Sequence, residues 1–407
     1  MRLDELTRPD FPILQRIVNG HPLVYFDSGA SSQKPRAVLE AMTRYYERSH
    51  ANVHRSIHTL GEEATELYEL ARDSVHRFIG APSREEVVFT RGTTDGLGLI
   101  AETIGRTLGR GDEIIVTELE HHSNLIPWQL VAKDRGAVLK AIPILDDGTL
   151  DLGAFDRLLT SRTRVVAFAH VSNVVGTINP VTEIVRRARD VGAFTVVDGA
   201  QAAPHLRLDM SALECDFYVF SAHKMLGPTG IGVLYGRRAV LDSLEPGRGG
   251  SEMIKEVWID RAQWNDLPWR FEPGTPPIAE AVGLTAAIEY LEKLGMERVT
   301  EHEHVLTRQT HEGLARIPGV TVYGPPLGVE RGAVVSFAVD GLHPHDVAAL
   351  LDAEGIAVRA GHHCAQPALR RFGLETTVRP SLALYNTRED IDALVAVLKQ
   401  LQSHQLV

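Results

Sequence analysis

Lys224 closes the run Ser221-Ala222-His223-Lys224, directly after the apolar stretch Phe217-Tyr218-Val219-Phe220, and Asp198 ends an earlier one, Phe194-Thr195-Val196-Val197. Open parallel sheets bind ligands at the carboxyl ends of their strands, so an amine and a carboxylate at two strand ends can converge on one crevice. That pair suits pyridoxal phosphate. The lysine forms a Schiff base with the aldehyde, and the carboxylate pairs with the pyridinium nitrogen and keeps it protonated. Taken singly, Lys224 reads equally as a surface-loop residue and Asp198 as a helix cap.

Other residues carry compatible chemistry. Arg91-Gly92-Thr93-Thr94-Asp95-Gly96 stands where a strand gives way to a helix, and free N–H groups, two hydroxyls and a helix dipole there suit a phosphate. Plain capping by Thr93 or Thr94 is the competing account. In Glu120-His121-His122-Ser123-Asn124, one imidazole could lie on an aromatic ring and relay protons. Asn173, in Val171-Ser172-Asn173-Val174-Val175-Gly176-Thr177, would share the crevice with an amide suited to a phenolic oxygen, unless it serves only a turn. Cys364, in Arg359-Ala360-Gly361-His362-His363-Cys364-Ala365, has an arginine and two histidines close in sequence, surroundings that favour a nucleophilic thiolate. Cys215 reads as a small core residue. Arg379 offers a planar fork for a carboxylate, although on spacing alone a surface ion pair is the favoured reading. The histidines with Cys364 also raise zinc. Adjacent histidines are a poor ligand pair, since usual spacings leave two or more residues between ligands, and no metal site is expected.

The elements that must position these groups follow from the apolar pattern. Short β-branched runs at Glu86–Phe89, Glu113–Val116, Val138–Pro143, Val165–Ala169 and Thr195–Val197 alternate with helical patterns near Thr94, Leu125–Asp134 and Ile184–Val191. Continuous runs rather than strict alternation predict strands covered on both faces, and the strand–helix succession predicts right-handed crossovers in a mostly parallel sheet. After the Pro- and Gly-rich stretch Pro268–Pro277, two long helices (Ala279–Leu294, Glu297–Ile317) precede strands at Val334–Val339 and Ile356–Arg359 and helices at Pro344–Glu354 and from Arg388. The fold class expected is α/β, with a mostly parallel central sheet, helices on both faces, and a smaller α+β domain. The large domain is placed at residues 21–290, and the small one at 1–20 and 291–407, carrying the Cys364 loop.

Composition narrows the function. A formal net charge of −11 argues against a nucleic-acid partner, which needs a basic face. No apolar stretch reaches the ~18 residues of a membrane helix, and charged residues such as Arg2, Asp4 and Glu5 leave no signal-peptide core near the start. Two cysteines exclude a disulfide framework, which makes a reducing cytoplasm the expected compartment. No Gly-x-Gly-x-x-Gly follows a strand, and no Gly-x4-Gly-Lys-Ser/Thr occurs, so dinucleotide and nucleotide-triphosphate sites lack their fingerprints.

In combination these motifs resemble the fold-type I pyridoxal phosphate enzymes of the aminotransferase class V group, and within it the SufS type of cysteine desulfurase. The resemblance runs almost end to end, through Tyr25-Phe26-Asp27-Ser28, Val53-His54-Arg55-Ser56-Ile57-His58, Arg91-Gly92-Thr93-Thr94, Glu120-His121-His122, Val197-Asp198-Gly199-Ala200-Gln201, Ser221-Ala222-His223-Lys224, Phe271-Glu272-Pro273-Gly274-Thr275-Pro276 and the Cys364 loop. It implies conversion of L-cysteine to L-alanine, with a persulfide on Cys364 passed to an acceptor protein for iron–sulfur cluster assembly. A selenocysteine lyase on the same scaffold is the alternative.

By the same resemblance Lys224 is the Schiff-base lysine, and after release its amine removes the Cα proton. Asp198 is the pyridinium partner, and His121 stacks on the ring and handles protons. Gln201 and Asn173 reach the phenolic oxygen or the substrate, while Thr94, Ser221 and His223 bind the phosphate. Arg379 takes the substrate carboxylate, with Asn173 and Arg359 nearby. Thr275 resembles the threonine that a second subunit contributes, implying a homodimer. His343-Pro344-His345-Asp346-Val347 resembles the version paired with a SufU-type acceptor rather than SufE, with His345 the candidate contact and a capping histidine the alternative. Ala222 replaces a frequent glycine and Pro380 a frequent alanine. Neither removes a functional atom, though Pro380 bears on how the loop presents Arg379.

Overall fold

The computed structural model describes residues 2–405. Seven strands form the central sheet: β1 (Val87–Thr90), β2 (Glu113–Thr117), β3 (Val138–Ile142), β4 (Thr163–Ala169), β5 (Phe194–Asp198), β6 (Phe217–Ser221) and β7 (Gly232–Gly236), in the order β1-β7-β6-β5-β4-β2-β3. Strands β2 to β6 pair in parallel where they touch, and only β7 runs antiparallel, to both β6 and β1. The expected mostly parallel sheet is therefore present, with its functional strand ends on one side.

Side chains alternate between two cores. Val88, Ile114, Val116, Val165, Val196, Phe217 and Val219 face one apolar cluster. Phe89, Ile115, Val166, Phe168, Val197, Tyr218 and Phe220 face the other. Burial on both faces explains why the strands read as unbroken apolar runs. Helices α1 (Thr59–Phe78), α2 (Thr93–Gly105), α3 (Ile126–Arg135) and α4 (Val181–Asp190) cover them, and α5 (Ile278–Leu294) packs on α1.

A second sheet, order β8-β9-β11-β10 and antiparallel throughout, is built from β8 (Val320–Tyr323), β9 (Ser336–Val339), β10 (Arg359–Gly361) and β11 (Thr377–Arg379). Helices α6 (Met296–Ala315), α7 (Pro344–Ala353) and α8 (Arg388–Gln405) accompany it around a third apolar cluster that includes Val335, Phe337, Leu351 and Leu394. The first residues lie against this part by polar contacts, Arg8 with Asp390 at 3.0 Å and the Thr7 hydroxyl with the Leu384 carbonyl at 3.2 Å. Their side chains Phe11 and Leu14 join the cluster of Phe89 and Tyr218 instead.

One expectation needed adjustment. The apolar run Ile356–Arg359 divides: Ile356–Ala357 pairs in parallel with Val24–Tyr25, and β10 begins at Arg359. Strand β7, buried throughout, has no counterpart among the expected strands.

Candidate active site

The β6 strand ends at Ser221 and passes into a single 3-10 turn, Ala222–Lys224, which aims His223 and Lys224 off the sheet edge. Asp198 ends β5, and Asn173 follows β4. The β1–α2 turn brings Thr93 and Thr94, and the chain after β2 brings His121. From the second sheet, Arg359 and Arg379 stand opposite each other in register, and the loop after β10 carries Cys364. All of these side chains, with Gln201, line one cavity of about 290 Å³. Among the residues expected at the site, Thr275 alone lies outside it, on an exposed bend.

One end of the cavity is a donor-rich cradle. Helix α2 has Gly92 as its N-cap, with no side-chain cap, so the threonines are not spent on capping. The Ser221 hydroxyl accepts from the Thr93 N–H at 2.7 Å and shares a hydrogen bond with the Thr93 hydroxyl at 2.6 Å, while the Thr94 and Ser123 hydroxyls pair at 2.7 Å. Gly92 sits at φ +142°, and a Cβ on Gly232 of β7 would lie 2.5 Å from the Gly92 Cα. Both glycines are needed to bring the turn this close to the sheet.

The middle is set by burial and charge. Asp198 is buried, and loss of water raises its pKa, while the Ala200 N–H at 2.9 Å and the Lys224 ammonium pull it down. Burial lowers Lys224 to about 8, Asp198 opposing and Arg379 assisting that shift. Burial, followed by the charge of Lys224, lowers His121 to about 3. His121 is therefore a neutral imidazole, able to stack or relay a proton but not to store one at neutral pH. Gln201 donates to the Gly29 carbonyl at 2.8 Å, and its buried Oε1 has no partner among the described residues.

The far wall holds the two arginines and the thiol. Arg379 donates through Nη1 to the Asn173 carbonyl at 2.8 Å and through Nη2 to Asp27 at 3.5 Å, and its buried Nε has no partner among the described residues. Burial lowers it to about 10. Arg359 makes two close bonds to the same Asp27, each 3.1 Å. Asn173 donates through Nδ2 to the His363 carbonyl at 2.6 Å, so an amide of the first sheet holds the loop of the second. Cys364 donates its N–H to His362 Nδ1 at 3.0 Å, and its carbonyl accepts from the His122 N–H at 2.7 Å. His363 and Cys364 both lie at positive φ, +49° and +54°, a sharp left-handed bend that non-glycine residues rarely adopt.

Several contributors have no distinguishing sequence signal. Asp27 stands inside a quoted motif, yet only the fold shows it shared by two arginines. Glu120 is buried and accepts from the Thr117 hydroxyl, the Asn124 amide and the Ala169 N–H, which ties the His121 turn to β4. Thr93 was legible as one of two candidate hydroxyls. His345 is exposed on the first turn of α7 beside Gly361, and the histidine that caps this helix is His343.

Residues 24–394 match the family model described as aminotransferase class-V. A protein of Halalkalibacterium halodurans described as a probable cysteine desulfurase is 52% identical over 97% of each chain. The apo structure of a cysteine desulfurase from Thermococcus onnurineus superposes with a TM-score of 0.94 at 43% identity, covering 99% of each chain. A mutant of the protein C-DES, with glycine covalently linked to the PLP cofactor, superposes with a TM-score of 0.83 at 25% identity, over 96% of this chain and 98% of that one.

Proposed function

The chain belongs to the aminotransferase class-V family, and on that premise we propose that it is a pyridoxal phosphate-dependent cysteine desulfurase, forming L-alanine from L-cysteine and a persulfide on Cys364. One observation carries this reading: a single cavity joins the Lys224–Asp198 pair to the Cys364 thiol.

The cavity suits the cofactor. Hydroxyls and a helix N-terminus at one end match a phosphate, a buried carboxylate matches a pyridinium nitrogen, and the unpartnered Gln201 Oε1 offers an acceptor beside them. When bound, the cofactor supplies an aldehyde for the Lys224 amine and a ring that takes up the electron pair left by a departing Cα proton. Lys224 Nζ is the base that receives this proton. Arg379 orients the substrate carboxylate with its unpaired Nε, supported by Asn173 and Arg359. The Cys364 thiolate attacks the substrate sulfur: a new S–S bond forms, the Cβ–S bond breaks with its electron pair on carbon, and a proton relayed past His121 completes the alanine methyl.

Thr275, exposed and outside its own cavity, supports a homodimer in which it completes the partner's phosphate site. Exposed His345 beside the Cys364 loop supports a SufU-type acceptor over SufE. Two unpaired cysteines, and the absence of any helix long and apolar enough to cross a membrane among the described residues, support the cytoplasm. We assign the division of labour to a unit of residues 21–290 that carries Lys224 and a unit of 291–407 with 1–20 that carries Cys364.

The test measures alanine and sulfide from L-cysteine, with and without SufU- or SufE-type acceptors, for the wild type and Cys364→Ala. Acceptor-stimulated alanine release lost in the variant is the expected result. Release from selenocysteine alone would point to a lyase, and no release from either would end the reading.

A further inference from the structure

His122, His362 and Cys364 come from two separate loops, yet a ring nitrogen of each histidine and the Cys364 sulfur all lie within 4.8 Å of one another. Sequence spacing hides this group, because His122 is distant in the chain and only one residue separates His362 from Cys364. The surrounding backbone holds it together. The His122 N–H bonds to the Cys364 carbonyl at 2.7 Å, the Gln366 N–H bonds to His122 Nε2 at 3.3 Å, and the Cys364 N–H bonds to His362 Nδ1 at 3.0 Å. The two imidazole rings face each other at 5.6 Å with a 34° tilt.

Two imidazoles and a thiolate are a borderline-soft donor set that favours Zn²⁺ over the oxygen-seeking Mg²⁺ and Ca²⁺. Bonds of about 2.0–2.3 Å in a tetrahedron place ligand atoms roughly 3.3–3.8 Å apart. Small side-chain rotations close that gap from 4.8 Å. His362 is exposed and the other two are partly so, which leaves a fourth position open to water. Among the described residues no carboxylate belongs to the cluster, so the thiolate is its one anionic donor.

We propose that His122, His362 and Cys364 form a Zn²⁺ site whose occupancy withholds the thiol from substrate. Binding forms a Zn–S bond and releases the thiol proton, with no change of oxidation state. A histidine that coordinates through the nitrogen now accepting a backbone N–H exchanges that bond, 3.0 Å at His362 and 3.3 Å at His122, for a metal–nitrogen bond. The regulatory consequence rests on the desulfurase reading; the metal site itself does not.

Equilibrium dialysis of the holoenzyme against Zn²⁺, with metal analysis, tests the site. One Zn²⁺ per chain is expected, with affinity reduced at least tenfold in His122→Ala, in His362→Ala and in Cys364→Ser. Co²⁺ should give the visible bands of a tetrahedral thiolate site, absent in Cys364→Ser, and alanine formation should fall with Zn²⁺ and recover with EDTA. His122→Gln, measured alongside, separates ligand loss from loop collapse. Zinc that does not bind stoichiometrically, or that binds the His122→Ala/His362→Ala double variant as tightly as the wild type, overturns the proposal. An enzyme that makes alanine yet ignores zinc loses only this site, and one that binds zinc yet makes no alanine loses only the desulfurase reading.

Discussion

Lys224 works as a base only after losing its own proton, and its surroundings set where that happens. Burial brings it down to about 8 against the opposing carboxylate of Asp198. Once substrate has displaced the amine, its free-base fraction rises as pH climbs toward that value, so kcat for L-cysteine, which reports the substrate complex, should increase about tenfold per pH unit on the acid side and level off above it. A flat profile from pH 6 to 9 would remove Lys224 from the proton transfer. Lys224→Ala should also yield colourless protein, read directly from its visible spectrum. At this scale the sequence was highly informative: Lys224, Asp198, His121 and Cys364 stood out by type and by their place after strands. What it could not supply was the partner of each group. Asp27 between two arginines, and Asn173 holding the His363 carbonyl, join residues from distant parts of the chain, and no spacing rule connects them.

Elements position these groups through a few buried polar knots. Arg72 of α1 is fully buried and holds Glu272 with two bonds, 2.6 and 3.0 Å, while Tyr68 donates to the same carboxylate at 3.0 Å. The Phe89 N–H of β1 also points at Glu272, at 2.7 Å. Arg72→Ala leaves that carboxylate buried without its cation and should cost about 3–5 kcal/mol, measured as a fall in urea midpoint. A loss below 1 kcal/mol would mean the knot contributes little. Nearby, Glu69 is held at about 2: burial works to raise it, and hydrogen bonding to His54 together with the charges of Arg72 and Arg84 overcomes that. A depressed carboxylate stabilises fully above its ordinary value of 4.5 and loses that contribution as pH falls toward 2. The Tm advantage of wild type over Glu69→Gln should thus be complete at pH 6 and shrink on acidification below pH 4.5. Element types were legible wherever a long apolar period existed. Strand β7 was not among the expected strands: its apolar centre, Val233-Leu234-Tyr235, is short and lies between two glycines.

Across the whole molecule, some apolar surface lacks a partner within the chain. Ile57 is 96% exposed, and Val257 and Ile259, on the hairpin strands Ile254–Val257 and Ala262–Trp264 and their connection, are 66% and 108% exposed. Side chains so bare are costly in an isolated protomer, which agrees with the homodimer proposed from Thr275. Sedimentation should find a dimer, and Ile259→Asp should shift it toward monomer with weakened cofactor retention. A fully active wild-type monomer would remove the shared site. The sequence forecast this architecture at the level of sheet class, since strand–helix alternation constrains topology strongly. It did not reveal the exposed hairpin, whose apolar residues carry no mark distinguishing them from core.

The backbone around Cys364 has a mechanical consequence for sulfur traffic. Its carbonyl is tethered to His122, its neighbour's carbonyl to Asn173, and its own N–H to His362. With those bonds in place the side chain moves by χ1 alone, so on the desulfurase reading a sulfur atom loaded there has a travel of a few ångströms. Such a short arm moves a sulfur no further than the partly exposed rim where Cys364 already sits. A recipient of the kind proposed would therefore have to bring its own reactive group to the cavity mouth, and the width of that mouth would sort one recipient from another.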